Sequence, residues 1–285
     1  MPAMTDISVV ILTMGNRPTE LEAAVAAVRA QQVEATVVLV VNGGEPNRAL
    51  ADVVVDPGTN LGIPAGRNAG AAATPSDLIA FLDDDGALVD EVLQPAMAAF
   101  AENPGLGALA LRIVDEEGVT ARRHLSGLRK RPEQSGPATS FPGGAVLVRR
   151  SAFAAVGGLC DSYFYGLEET DLAWRLIDAG WDINYRADLR FSHPRSLPSR
   201  HDEFFHHTAR NRVWLAHRTL PAPLAALYVV NWTLITVARN VRNPRGIVQH
   251  VRGTIDGFQN LVGPRTPMSS ATVRELTRRG RPPVV

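Results

Sequence analysis

A single cysteine, Cys160, stands among 285 residues. One thiol excludes an internal disulfide framework and a cysteine-rich zinc centre, and it suits a reducing compartment. The opening residues pass almost directly into "DISVVILTM". They lack the basic flank, apolar run and small-residue cleavage site of a secretory leader, so a cytoplasmic chain is expected. There is no internal repeat and no long low-complexity segment. Net charge is missing as well, since 29 basic residues balance 29 acidic ones. What is present, 45% apolar and 20% charged residues, excludes a disordered chain and suits one large or two small soluble domains.

The zero net charge hides an asymmetry. Residues 1–194 carry 15 basic and 25 acidic residues, whereas residues 195–285 carry 14 basic and 4 acidic ones. Such a split fits a cation-binding body joined to a segment that meets an anionic surface, although a basic tail can also simply be solvated.

Short apolar or β-branched runs alternate with helical patterns through the first half. The runs are Ile7 to Thr13, Thr36 to Val41, Asp52 to Asp56, Leu78 to Leu82 and Gly107 to Val114. Between the first two, Leu21, Val25 and Val28 share one face of a helical stretch from Glu20 to Gln32. This order predicts an α/β fold with a mostly parallel sheet, whose ligands bind beyond the carboxyl ends of the strands. Residues Glu116 to Pro137 read as a polar loop. "SFPGGAVLVRRSAF" (Ser140 to Phe153) reads as strand and turn, and "LEETDLAWRLIDAGW" (Leu167 to Trp181) as a helix closed by Gly180. After Pro194 the pattern is mainly helical.

Four features carry chemistry. In "LIAFLDDDG" a buried strand runs into Asp83, Asp84 and Asp85. In extended chain Asp83 and Asp85 point to one side and Asp84 to the other. Adjacent carboxylates repel, and a hard divalent cation, Mg²⁺ or Mn²⁺, relieves that repulsion while leaving positions open for phosphate oxygens. A solvated acidic loop or a helix N-cap is the alternative. The second feature is "NLGIPAGRNAG" (Asn60 to Gly70), whose glycines and helix start near Pro64 suit a phosphate, though they equally suit an ordinary turn. Third, "EETD" (Glu168 to Asp171) either places acidic groups in a first helical turn, with Asp171 and Arg175 as an i,i+4 pair, or supplies a general base beside the aromatic "YFYG". The fourth is His193 in "RFSHPRS", structural by default, and a third metal ligand if it lies near the acidic residues.

Taken in order, "VVILTMGNR", "VVNGG", "NLGIPAGRNAG", "FLDDDG", "FPGGAVLVRRSAF", "EETDLAWRLIDAGW", "FSHP" and "ARNRVWL" resemble the family 2 glycosyltransferases over about residues 6 to 218. The resemblance implies a GT-A fold, Rossmann-like with a mostly parallel sheet flanked by helices, over residues 1–218. A helical, basic extension would follow over 219–285. It further implies an inverting transfer from a nucleotide sugar to a hydroxyl of a saccharide or lipid-linked acceptor, with Mg²⁺ or Mn²⁺ as cofactor and no nucleic acid partner.

Carried over residue by residue, the resemblance matches the acidic triplet to the D-x-D motif. Asp85 would bind the metal, Asp83 would share the metal or hold the ribose, and Asp84 would lie on the donor side. Thr13 and Asn42 would line the base pocket, with Asn60, Gly66, Arg67 and Asn68 near the nucleotide and its phosphates. Gly143 and Gly144 would leave space at the sugar. Glu169 takes the position of the catalytic carboxylate, and Glu168 and Asp171 complete the candidate catalytic set. His193 matches a metal-binding histidine of some relatives. Two departures stand out. "VVNGG" replaces the usual aspartate before Asn-Gly-Ser, so Asn42 would read a uracil or thymine edge, as in a UDP- or dTDP-sugar. Glutamate also replaces aspartate at position 169.

A sugar-nucleotide nucleotidyltransferase would share the fold, but would want a glycine-rich basic loop after the first strand. "TMGNRPTE" offers one glycine and one arginine. A non-catalytic membrane-surface binding protein on a transferase fold would tolerate loss of both acidic motifs, and both are kept. Finally, "PLAALYVVNWTLITVARN" (Pro223 to Asn240) is too short and interrupted for a confident membrane span. Flanked by Arg218, Arg239, Arg242 and Arg245, it reads either as a core helix or as an interfacial one on an anionic membrane surface, which would make the protein peripheral on the inner face.

Overall fold

The computed structural model describes residues 6–125, 131–195 and 202–284. The runs Ile7–Thr13, Thr36–Val41 and Leu78–Asp83 are buried on both faces of the sheet, which is why they read as continuous rather than alternating, whereas the edge run Val53–Val55 is only partly covered. Strands β1 (Ile7–Thr13), β2 (Thr36–Val41), β3 (Val53–Val55) and β4 (Leu78–Asp83) pair in parallel in the order β3-β2-β1-β4. Helices α1 (Pro18–Arg29) and α2 (Ile63–Ala72) make the crossovers, and each carries a proline in its first turn, where no backbone donor is lost. Helix α1 begins two residues before, and ends three residues before, the stretch the apolar pattern marks.

Beyond β4 the sheet changes character. After β5 (Ala87–Val89), α3 (Leu93–Glu102), β6 (Leu106–Val114), β7 (Gly136–Pro137) and β8 (Ala145–Arg149), the chain has inserted β8 antiparallel to both β4 and β6. Helices α4 (Arg150–Ala155) and α5 (Glu168–Asp178) lead into β9 (Asp182–Ser192), which runs parallel to β6 and antiparallel to β5 and β7. The parallel expectation thus holds for the first four strands in the order, and the remainder of the sheet is mixed. In the polar stretch 116–137, one helical turn forms at Arg122–His124 and β7 at its end, while residues 126–130 lie outside the described residues.

Side chains sort by strand alternation onto the two sheet faces. Val10, Val38, Val40, Phe81 and Val148 join one core, with Tyr163, Leu172 and Trp174. Val9, Ile11, Leu39, Leu82 and Leu147 join the other, with Leu21 and Val25 of α1 and Phe100 of α3.

The C-terminal part consists of α6 (Asp202–Thr219), α7 (Ala222–Arg239), α8 (Pro244–Gln259) and α9 (Ser270–Arg278). It is tied to the sheet. Met268 and Leu276 are members of the first core, Arg279 donates to the carbonyl of Ala138, and Ser269 N–H donates to Asp178.

Candidate active site: two clefts that share a carboxylate and a histidine

The site grows from strand register. Leu12 stands opposite Asp83, and Thr13 opposite Val41, so Thr13, Asn42 and the acidic triplet emerge side by side from β1, β2 and β4. Strand β5 turns back after the triplet and pairs Ala87 with Ser192 of β9, which carries His193 to the same edge.

Asp83, Asp85 and His193 each present a ligand atom, and these atoms all lie within 4.8 Å of one another. His193 Nε2 is 3.2 Å from Asp85 Oδ1. The hydrogen bond to Asp85, aided by its charge and opposed by burial, raises the His193 pKa. Burial pushes the Asp85 carboxyl up, but the hydrogen bond from His193 and the charges of His193 and Arg17 outweigh it and hold the pKa below the usual range. Arg17 pairs with Asp85 directly, so a cation already answers these carboxylates. Two carboxylates and one imidazole are a donor set that Mg²⁺ or Mn²⁺ accepts, with positions left for oxygen ligands.

Asp84 points the other way. It is buried, accepts a 2.6 Å hydrogen bond from the Thr13 hydroxyl, and has a pKa raised chiefly by burial. It lies in the wall of a cleft of about 740 Å³ that Thr13, Arg17, Asn42, Asn60, Arg67, Asp83, Asp85 and His193 also line. The far wall is the exposed pair Phe164 and Tyr165, with Glu203, Phe204 and His207 of α6. Within this cleft the Asn42 amide is engaged by the chain itself. Its oxygen accepts from Leu61 N–H at 2.8 Å and its nitrogen donates to Asn60 at 2.9 Å, so it shapes the 60–62 turn.

A second cleft, about 350 Å³, is lined by Asp83, Ser140, Phe141, Gly143, Gly144, Glu169, His193 and Arg281. Asp83 and His193 are common to both clefts. The glycines here make room for side chains of the protein. A Cβ at Gly144 would occupy the position of the Asp83 carboxylate, and one at Gly143 would approach Arg67 Nη1 to 2.5 Å.

The neighbouring glutamates face different ways. Glu168 is 3% exposed, with Oε1 3.7 Å from Arg67 Nη1 and Oε2 without a partner. Arg67 in turn holds Asp83 at 2.8 Å. Glu169 is only partly covered and opens into the smaller cleft. Burial, then the charge of Glu168, push the Glu169 pKa up to about 8. Glu168 lines neither cleft; burial raises its own pKa against the opposing charge of Arg67, and in its ionised form it adds to the rise at Glu169.

Three sequence assignments are corrected. Asp171 is fully buried and accepts from Arg175, Arg218 and Tyr163, so it is an anchor under α5 with no access to either cleft. Asn68 is turned to Leu159 and Asp161, where it clamps the 159–161 segment and lines neither cleft. Gly66 permits contact between α2 and β1, since a Cβ there would meet Leu12 Cδ1 at 2.5 Å, and so its role is packing.

Several residues escaped the sequence reading. Arg17, the one arginine of "TMGNRPTE", follows β1 by four positions and has no site role in that reading, yet it pairs with Asp85. Arg281 reaches the smaller cleft from beyond α9 and donates to Ser140 Oγ at 2.9 Å. Asn211, within "ARNRVWL", is buried and shares its amide hydrogens among the carbonyls of Tyr163, Tyr165 and Gly166. It thereby fixes the loop in which Phe164 and Leu167 hold positive φ, at 60° and 70°, just before Glu168.

Comparison with known proteins bears on the family and the fold. A pre-mycofactocin glycosyltransferase of Mycobacterium tuberculosis is 34% identical over 175 residues, covering 56% of this chain and 34% of that protein. An N-acetylglucosaminyl-diphospho-decaprenol L-rhamnosyltransferase of the same organism is 35% identical over 85 residues, covering 29% of this chain and 28% of that protein. The chain thus spans about a third of the length of these curated relatives. Among solved structures, GalNAc-T7 with UDP, GalNAc and Mn²⁺ superposes with a TM-score of 0.58 at 16% identity, over 75% of this chain and 49% of that one. Staphylococcus aureus TarS 1-349 in complex with UDP gives 0.54 at 15% identity, over 73% and 65%. These likenesses show the GT-A fold. The family model described as glycosyl transferase family 2 matches residues 8–157, more than half of the sequence, and the chain belongs to that family.

Proposed function

We propose that this chain is a metal-dependent, inverting glycosyltransferase that moves a sugar from a UDP- or dTDP-sugar to a hydroxyl of a saccharide or lipid-linked acceptor. The observation that carries the reading is the junction of two clefts at Asp83 and His193, with Glu169 opening only into the smaller one. The larger cleft suits a nucleotide and its diphosphate, because Arg17, Arg67 and the metal-type donor set converge there. The smaller one suits the acceptor.

In this assignment an acceptor hydroxyl gives its proton to Glu169 as its oxygen attacks the anomeric carbon. The bond to the diphosphate breaks on the opposite face, and the leaving nucleoside diphosphate carries away the electron pair. A divalent cation bound by Asp83, Asp85 and His193 would supply positive charge to the diphosphate oxygens. Arg67 adds fixed charge beside them, and Glu168 keeps Glu169 basic. A pKa near 8 makes Glu169 a stronger base than an ordinary glutamate.

Several likenesses support the donor and acceptor. UDP is named with both solved structures, Mn²⁺ with one, and a lipid-diphosphate saccharide in the name of the rhamnosyltransferase relative. Residues 1–218 would form the catalytic unit, with 219–285 as its helical extension, in a protein of the cytoplasm. The test is a panel of UDP- and dTDP-sugars, followed for nucleoside diphosphate release with Mg²⁺, Mn²⁺ or chelator. Release from one donor class, lost in chelator, supports the reading. Release of pyrophosphate from a nucleoside triphosphate and a sugar phosphate would instead identify a nucleotidyltransferase.

A further inference from the structure

Helix α8 is amphipathic with its apolar side turned to water. Val248, Val251, Ile255 and Phe258 form a stripe at helical spacing, each about half exposed or more. The opposite face, Gly246, His250, Gly253 and Gly257, is buried against α6. A Cβ at Gly253 would overlap the carbonyl of His206, and one at Gly257 would come within 2.7 Å of Val213. Backbone-to-backbone packing of this kind fixes the rotation of α8, so the stripe cannot turn inward. A surface helix of a soluble domain ordinarily does the reverse.

Helix α7 repeats the pattern. Leu227, Val230 and Leu234 point outward, 45–63% exposed, while Tyr228 packs on Trp174 and Arg212 lies over Trp232 at 3.6 Å. Among the described residues α7 is the one helix long and apolar enough to cross a membrane, yet its inner face is fastened to the body. Charge completes the picture. Residues 222–255 contain no aspartate or glutamate, and they carry Arg239, Arg242, Arg245 and Arg252. All four arginines are exposed, and none forms an ion pair among the described residues.

We propose that α7 and α8 form a docking face for an anionic lipid bilayer, with the apolar stripes at the headgroup boundary and the arginines among lipid phosphates. A second copy of the chain is the poorer occupant. Two-fold pairing sets a patch against itself, and here it would oppose arginines with arginines, because the single carboxylate of the two helices, Asp256, is engaged by His206 of α6 and by Asn260. The face lies one helix behind the larger cleft. Glu203, Phe204 and His207 of α6 line that cleft, while His206, Arg210 and Val213 of the same helix carry α8. Docking would thus hold the cleft close to the membrane surface whatever sugar is transferred.

The experiment is co-sedimentation of the full chain with phosphatidylcholine vesicles, with and without phosphatidylglycerol, at low and high salt. The expected result is recovery with the anionic vesicles, weakened by salt. Val251→Asp with Ile255→Asp should abolish it, and Arg242→Gln, Arg245→Gln and Arg252→Gln together should weaken it by about fivefold per arginine. UDP affinity, measured in parallel, should be unchanged in every variant, which separates this test from that of the transfer reaction. No recovery of the wild-type chain, equal recovery on neutral vesicles, or undiminished recovery of the aspartate variant overturns the proposal. So does a wild-type dimer that the aspartate variant turns into a monomer without any vesicle binding, which would name a second copy as the occupant.

Discussion

His193 Nε2 lies 3.2 Å from Asp85 Oδ1, although the two residues belong to different strands' ends and meet only because β5 folds back onto β9. This contact brings an imidazole to two of the three aspartates, so that Asp83, Asp85 and His193 form one cluster of candidate ligands. Asp85→Asn should therefore weaken Mn²⁺ binding by at least about tenfold, and His193→Ala by a smaller factor, both read by calorimetry with UDP present. Unaltered Mn²⁺ affinity in both variants would remove the metal from this site.

Gly144 tests how tightly the pocket is built. Because an added Cβ falls on the Asp83 carboxylate, Gly144→Ala should displace that side chain, which is 41% exposed and has room to move outward at the expense of its ion pair with Arg67. The expected outcome is a folded protein, with melting temperature within a few degrees of wild type, whose donor affinity and turnover both fall. Unchanged kinetics would mean that Asp83 is not needed in its present position.

Glu169 should give the protein a pH signature in two readouts. Its pKa is raised from 4.5 in the unfolded chain to about 8 in the fold, so the folded state favours the protonated form. The stability it contributes is full below pH 4.5 and is lost as pH rises toward 8. Glu169→Gln should accordingly stabilise the fold at pH 8 by at least about 1 kcal/mol, with little gain at pH 4.5, as measured by chemical denaturation. In the active enzyme kcat/KM should rise with pH over the same range. A flat stability difference between pH 4.5 and 8 would contradict the raised pKa.

Asp171 should behave as an anchor. With Arg175, Arg218 and Tyr163 all directed at it, Asp171→Ala leaves buried cations unpaired and should cost about 3–5 kcal/mol. Loss of soluble or cooperatively melting protein is expected. A stable, folded and selectively inactive Asp171→Ala would return this residue to the catalytic set.

The parts of this molecule that could be read from its sequence are those set by local pattern. Ile7–Thr13 and Thr36–Val41 are apolar runs whose ends coincide with the strands, and the triplet after Leu82 lies at a strand's carboxyl end. Direction within the sheet was not legible, because a buried run such as Ala145–Arg149 reads alike in parallel and antiparallel pairing. Nor was the division between Glu168 and Glu169, since it depends on the left-handed turn at Leu167 and on Arg67 arriving from α2. Arg281 reaches the site from beyond α9, where no periodicity could point to it. The apolar stripe of α8 is visible in the letters, but its outward orientation follows from Gly253 and Gly257 against α6.

The central claim, that Glu169 is the base and Glu168 tunes it, is tested most directly by the pH dependence of sugar transfer in Glu169→Gln and Glu168→Gln, with nucleotide affinity measured beside it. For Glu169→Gln, kcat should fall by about 10² to 10⁴-fold while UDP binds as in wild type. Glu168→Gln should retain activity and shift the alkaline-rising limb part of the way to lower pH, because burial still raises the Glu169 pKa while the added charge of Glu168 is gone. Loss of turnover in Glu168→Gln with turnover preserved in Glu169→Gln would contradict the account.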